Sequence, residues 1–190
     1  MSSVEEIITE ERLSEEKHFR EVSNFECQIN ESLEVFLKSE AFEYNKNGQG
    51  NTYILRAKEN DEIIGYYTLK ANGICREFND EYGRRRETAP SIEIARFALA
   101  SDYQGRGLGK IIFLFFIAPK INEVKELIGV TTIMLFAVNH KKVIKFYQDI
   151  GLILAKEEVQ QFIKDDDNSK CILMYMDAEV KDVVEEANSD

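Results

Sequence analysis

Apolar and polar positions change period several times along the chain, and each change marks an element. Ile7 to Leu13 reads as a short strand. Around NESLEVFLKSEAF, Ile29, Leu33, Phe36 and Leu37 recur at helical spacing, and Asn30 stands where a helix is capped. NGQGN, residues 47–51, ends that helix with turn residues. TYILRAKENDEIIGYYTLK then predicts a hairpin turning at residues 59–62. Residues 74–89 are polar and irregular and predict a long loop or a poorly ordered excursion.

After Pro90, SIEIARFALA predicts a largely buried strand carrying Ile92, Ile94, Phe97 and Leu99. KIIFLFFIAPKINEVKELI is apolar nearly all round at first and amphipathic later, a helix packed under a sheet with Pro119 placed to bend it. TTIMLFAV predicts a buried strand, and NHKKVIKFYQDIG a short helix ended by Gly151. Two last strands, residues 152–164 and 170–176, flank the polar DDDNS, and an acidic tail follows. Hairpins and strand–helix–strand crossovers together predict an α/β (α+β) fold with a mixed sheet covered by helices. No repeat or linker divides the chain, so one domain over residues 1–176 and a tail over 177–190 are expected.

Charge narrows the function. With 35 acidic against 24 basic residues the net charge is −11, which disfavours binding nucleic acid across a broad basic face. The apolar run 111–118 is too short to span a bilayer, and the acidic N-terminus does not resemble a secretion signal. A cytoplasmic protein without membrane association is expected. Cys27, Cys75 and Cys171 are scattered without metal spacing and read as reduced core cysteines. His18 and His140 are the only histidines, too few for a His-rich zinc site, so no metal is expected.

The chemistry-bearing stretch is SDYQGRGLGK, residues 101–110, between an apolar strand and an apolar helix. A Walker loop fails, because Gln104 falls at its first glycine and Ile111 at its Ser/Thr. A dinucleotide fingerprint fails as well, since it needs glycine at Leu108 or at Ile112. The pattern Q/R-x-x-G-x-G/A is met in full by Gln104, Gly107 and Gly109. Peptide N–H groups at a helix start form an anion cradle that glycines leave accessible, and Arg106 and Lys110 add positive charge.

Strand, QGRGLG and helix in this order resemble the acyl-CoA loop of the GNAT N-acetyltransferases. The later AVNHKKVIKFYQDIGL resembles that family's N-x-x-A-x-x-F-Y-x-x-x-G-F pattern, with Val143 in place of alanine and Leu152 in place of the last aromatic. Both departures are apolar and bear on packing. The resemblance spans residues 7–176 and implies a mostly antiparallel sheet of six to seven strands flanked by about four helices. FECQINESLEVFLKSEA and TYILRAKENDEIIGYYTLK further resemble the branch containing toxins that acetylate aminoacyl-tRNA. Charged tRNA therefore stays open as an acceptor despite the acidic chain; Arg84–Arg86 and Lys141, Lys142 and Lys145 are the local basic clusters.

The resemblance implies an N-acetyltransferase that moves an acetyl group from acetyl-CoA to a primary amine. It assigns the pyrophosphate to Gln104, Gly105, Arg106, Gly107, Leu108, Gly109 and Lys110, and the pantetheine arm to the backbone of Phe97, Ala98 and Leu99. Tyr147 matches the family's general acid, and Glu93 a strand glutamate that some members use as general base through water. The Leu99 N–H is the implied oxyanion donor. By simple alternation Glu93 shares a face with Ala95, Phe97 and Leu99, and a β-bulge would change that. Asn139 is a helix N-cap or a cofactor contact, and His140 a solvated residue of the first turn. Arg96 either pairs with an acidic side chain or faces the substrate. Tyr66 and Tyr67 line the acceptor side or are structural. Two other readings compete, a non-catalytic acyl-CoA sensor and an interaction module acting through the acidic tail. The acceptor, the acyl chain length and a homodimer formed through sheet edges are left open.

Overall fold

The computed structural model describes residues 7–28, 30–80, 83–156 and 171–178, and only the backbone at 76–80 and 84–86. Ile29, DDDNS and the tail beyond residue 178, all named above, lie outside the described residues. In chain order the elements are β1 (Ile8–Arg12), the one-turn α1 (Glu15–His18) and a 3-10 turn (Val22–Asn24). Next comes α2, formed by Glu31–Val35, a π-helical stretch Phe36–Glu40 and Ala41–Lys46. Then follow β2 (Asn51–Ala57), β3 (Ile63–Asp80) and β4 (Gly83–Leu99). Helix α3 consists of Leu108–Ile112, a π-helical stretch Phe113–Ile117 and Ala118–Leu127. The chain continues through β5 (Thr132–Val138), α4 (Lys141–Asp149), β6 (Ile153–Leu154) and β7 (Cys171–Asp177).

The seven-stranded sheet runs β1-β2-β3-β4-β5-β7-β6, antiparallel except for the parallel β4–β5 pair. This is a mixed α+β fold with a mostly antiparallel sheet, as the sequence predicts. Asn30 caps α2 as its position predicts, with its side-chain oxygen accepting the Ser32 N–H. The loop expected over 74–89 is a correction: residues 74–80 and 83–89 form the outer arms of β3 and β4, with Ile74 and Ala89 turned inward. Its sequence hides the strands because these arms carry mostly polar residues and lack the alternation that marks a half-buried strand. In α3, Pro119 stands just past the π-helical stretch, whose wider turn tolerates a residue without a backbone donor.

The chain forms two compact units, one from Met1–Lys70 and Ile94–Ile117, the other from Ala71–Glu93 and Ala118–Asp190. The first is built on Leu13, Val22, Phe36, Leu37, Ile54, Tyr66 and Ala98. There Gly65 lets β3 press against β4, for a methyl group at its Cα would meet the Ala98 carbonyl oxygen at 2.6 Å. Tyr66 and Tyr67 are structural: both are fully buried, Tyr66 donating to the Leu33 carbonyl at 2.6 Å and Tyr67 to Glu10. The core of the second unit gathers Ile74, Ala89, Met134, Ala155 and Leu173. No helix among the described residues is long and apolar enough to cross a membrane.

In the first unit one arginine is buried against carboxylates that keep contact with solvent. Arg56, 6% exposed, lies beside a register shift in β2 and faces three carboxylates. Its Nε is 3.4 Å from Glu11, its Nη2 bonds Glu21, and its Nη1 is 3.9 Å from Asp61 while donating to the Asp61 carbonyl at 2.9 Å. Burial pushes the Glu11 carboxyl up. The Lys17 hydrogen bond and the electrostatic pull of Lys17, His18 and Arg56 outweigh that and hold it below its ordinary value.

Candidate active site

The cradle begins where β4 ends. Past Leu99 the backbone is pinned on both sides of the turn, by Ala100 N–H donating to Ile64 O at 2.8 Å and Ser101 N–H to Glu26 O at 2.9 Å. The Gln104 side-chain amide turns back and donates to the Leu99 carbonyl at 2.7 Å, with the Cys27 sulfur at 3.7 Å. Gln104 therefore fixes the end of the strand relative to the loop.

Gly105 and Gly107 then adopt left-handed backbone, at φ 73° and 78°. A side chain at either would meet nothing within 4 Å, so glycine is required there by the backbone and not by crowding. Gly107 is the N-cap of α3. Leu108 and Gly109 follow in its first turn, where peptide N–H groups have no helical carbonyl to bond. Left-handed residues in a turn let successive N–H groups converge on an anion. Arg106 and Lys110 are exposed beside them, and the Arg106 guanidinium lies 5.9 Å from the Tyr103 ring centre. This arrangement can hold a phosphate.

Just upstream, β4 pairs with β5 over Ser91, Ile92 and Glu93 only. Ala98 is buried, and Phe97 and Leu99 are half-buried. Arg96 is half-buried too. Its Nη1 donates to the Ala95 carbonyl at 2.7 Å, and its guanidinium sits 4.9 Å from the centre of the Phe36 ring. Phe36 in turn stacks on Tyr66 at 6.2 Å and 18°. Among the described residues no carboxylate pairs with Arg96.

In the second unit, Glu93 is 3% exposed and accepts a hydrogen bond from the Asn72 side-chain amide. Burial does not alternate here: Ser91, Ile92, Glu93 and Ile94 are buried in succession, as in a strand covered on both faces. Asn72 escaped the sequence reading, since only the extension of β3 past Lys70 brings it to Glu93. Tyr147 lies on α4, half-buried, with its ring edge-on to Phe146 at 4.9 Å. Burial pushes its phenol up from the ordinary 10, so it stays protonated at neutral pH. No described group hydrogen-bonds its hydroxyl.

The helix cap is another correction. His140, not Asn139, is the N-cap of α4: its backbone is extended (φ −132°, ψ 130°), and its Nδ1 accepts the Lys142 N–H at 3.3 Å. Asn139 is exposed one residue earlier, too far back to reach the first turn. Among the described residues no cluster of His, Cys, Asp and Glu could hold a metal.

The family model described as Acetyltransferase (GNAT) family matches residues 14–152. No curated protein matches the chain. Among solved structures, a tyrosine-to-phenylalanine mutant of KacT has a TM-score of 0.69 at 19% identity, covering 91% of this chain and 96% of that one. A tyrosine-to-phenylalanine mutant of the AtaT toxin, bound to the C-terminus of the antitoxin AtaR and acetyl-CoA, scores 0.65 at 21% identity over 90% and 94% of the two chains. AtaT complexed with acetyl-methionyl-tRNAfMet scores 0.63 at 21% identity over 90% and 95%.

Proposed function

The chain belongs to the GNAT acetyltransferase family, and from that premise we propose that it transfers an acetyl group from acetyl-CoA to a primary amine by direct attack on the thioester. The observation that carries this reading is the pair of left-handed glycines, Gly105 and Gly107, opening α3 with free space around them. On this reading the N–H groups of residues 105–109 take the pyrophosphate, with Arg106 and Lys110 contributing charge. The backbone of Phe97, Ala98 and Leu99 takes the pantetheine amides as an added strand would.

Three residues divide the chemistry. Glu93 accepts the amine proton through a water, and the amine nitrogen bonds to the thioester carbon. The Leu99 N–H donates to the oxyanion that forms. As the carbon–sulfur bond breaks, Tyr147 gives its phenolic proton to the departing sulfur and later regains one from solvent. A phenol held protonated by burial suits that step. Asn139, exposed and not engaged as the cap, is free to meet the cofactor.

A second reading makes the acceptor the amino group of a charged tRNA. It is supported by the likeness to AtaT complexed with acetyl-methionyl-tRNAfMet. The net charge of −11 weighs against it.

The test is release of free CoA thiol across small amines, polyamines, peptides and charged tRNA, with calorimetry of acetyl-CoA alongside. Tyr147→Phe is expected to lower kcat about a hundredfold or more while leaving acetyl-CoA affinity within about twofold. Undiminished turnover would remove the acid role, and absence of acetyl-CoA binding by the wild type would overturn the cradle.

A further inference from the structure

Within the transferase reading, on which this inference rests, we propose that Arg96 selects the acceptor: its guanidinium binds an oxyanion, carboxylate or phosphate, carried by the amine substrate. The first observation is electrostatic. The chain has more carboxylates than cations, and in the same unit it surrounds Arg56 with Glu11, Glu21 and Asp61. Arg96 is given none among the described residues. Glu40 is near enough for its charge to act on Tyr66, and it forms no ion pair with Arg96. A half-buried guanidinium with no internal counter-charge keeps its remaining donors and its charge open to an outside anion.

The second observation is preorganisation. Phe36 supports one face of the guanidinium, and the Ala95 carbonyl fixes Nη1. Phe36 is itself held by Tyr66 and, edge-on at 5.4 Å, by Tyr44. The other donors of the planar fork meet no described acceptor, and two parallel N–H groups in a fixed plane match a carboxylate or phosphate.

The third is position. Arg96 directly precedes the backbone assigned to the pantetheine arm. At about 3.3 Å of rise per residue its Cα is about 10 Å from that of Leu99, within reach of an extended arginine side chain and a small acceptor together. On an acidic protein, one fixed guanidinium beside the reacting amine gives an anionic acceptor a local attraction.

The experiment uses the full chain, wild type, Arg96→Lys and Arg96→Met, with two matched pairs of acceptors. Glycine against glycinamide tests a carboxylate, and phosphoethanolamine against ethanolamine tests a phosphate. Free-thiol release gives kcat and KM for each, and calorimetry gives acetyl-CoA affinity. The wild type is expected to favour the anionic member of at least one pair by about tenfold or more in kcat/KM. The favoured pair identifies the source of the oxyanion. Arg96→Met is expected to abolish that preference through KM, leaving the neutral partner's kcat and the acetyl-CoA affinity within about twofold; Arg96→Lys keeps part of it. A preference that survives Arg96→Met, equal use of both members, or an equal loss with all acceptors would overturn the proposal. So would no turnover of any of the four while acetyl-CoA still binds. Loss of acetyl-CoA binding in the wild type would instead overturn the transferase reading. If Arg96→Met does not fold, the lysine variant decides, since it lacks the fork but keeps the charge.

Discussion

Arg56 and Arg96 belong to the same compact unit, and their surroundings differ in kind. Arg56 is gripped by carboxylates from β1, from the segment before the 3-10 turn and from the β2–β3 turn, so it ties three pieces of chain together. Arg96 rests on an aromatic column with one backbone hydrogen bond and no described carboxylate partner. A protein this rich in acid could have paired both. The difference teaches that a buried arginine surrounded by acid is a structural tie, whereas one that is shaped but left uncompensated is a receptor.

Four substitutions probe that contrast. Arg56→Met is expected to destabilise the protein by about 2–3 kcal/mol in denaturant unfolding, somewhat less than a fully buried broken pair because Glu21 and Asp61 keep water. Acetyl-CoA affinity of the folded fraction should not change. Gly107→Ala should cost about 1–2 kcal/mol from its left-handed backbone alone and should also weaken acetyl-CoA binding, measured by calorimetry. Arg96→Met should shift unfolding by less than about 1 kcal/mol, since it gives up a cation–π contact without orphaning a carboxylate. A loss as large as that of Arg56→Met would make Arg96 a tie as well.

The smallest effect is on pH. The carboxyl of Glu11 is lower in the folded protein than its ordinary 4.5, so its stabilisation is present above that value and is lost as pH falls through the folded one. Glu11→Gln should flatten the loss of stability on the acid side of pH 4.5, measured by unfolding across an acid pH series. An unchanged acid slope would detach Glu11 from the Arg56 tie.

The features legible in the sequence were those whose cause is local. Gly105 and Gly107 announce themselves because few other residues tolerate their backbone, and Asn30 caps the helix it precedes. The outer arms of β3 and β4 were hidden because their polar residues carry no period. The cap at His140 was missed because asparagine is the commoner cap and Asn139 stands beside it. The ties of Arg56 were not legible, and the sequence left Arg96 between an acidic partner and the substrate: Glu11 and Glu21 lie far from Arg56 in sequence, as Phe36 does from Arg96, and only the fold brings them together.

The division of the chain between its units bears on how the protein is made. The first unit takes Met1–Lys70 and then Ile94–Ile117, and the second takes the stretch between them and everything after. During synthesis, the unit that carries the cradle cannot be finished until a strand belonging to the other has left the ribosome. The nascent chain must therefore carry half-built cores, with apolar surface still uncovered, until its last third is translated.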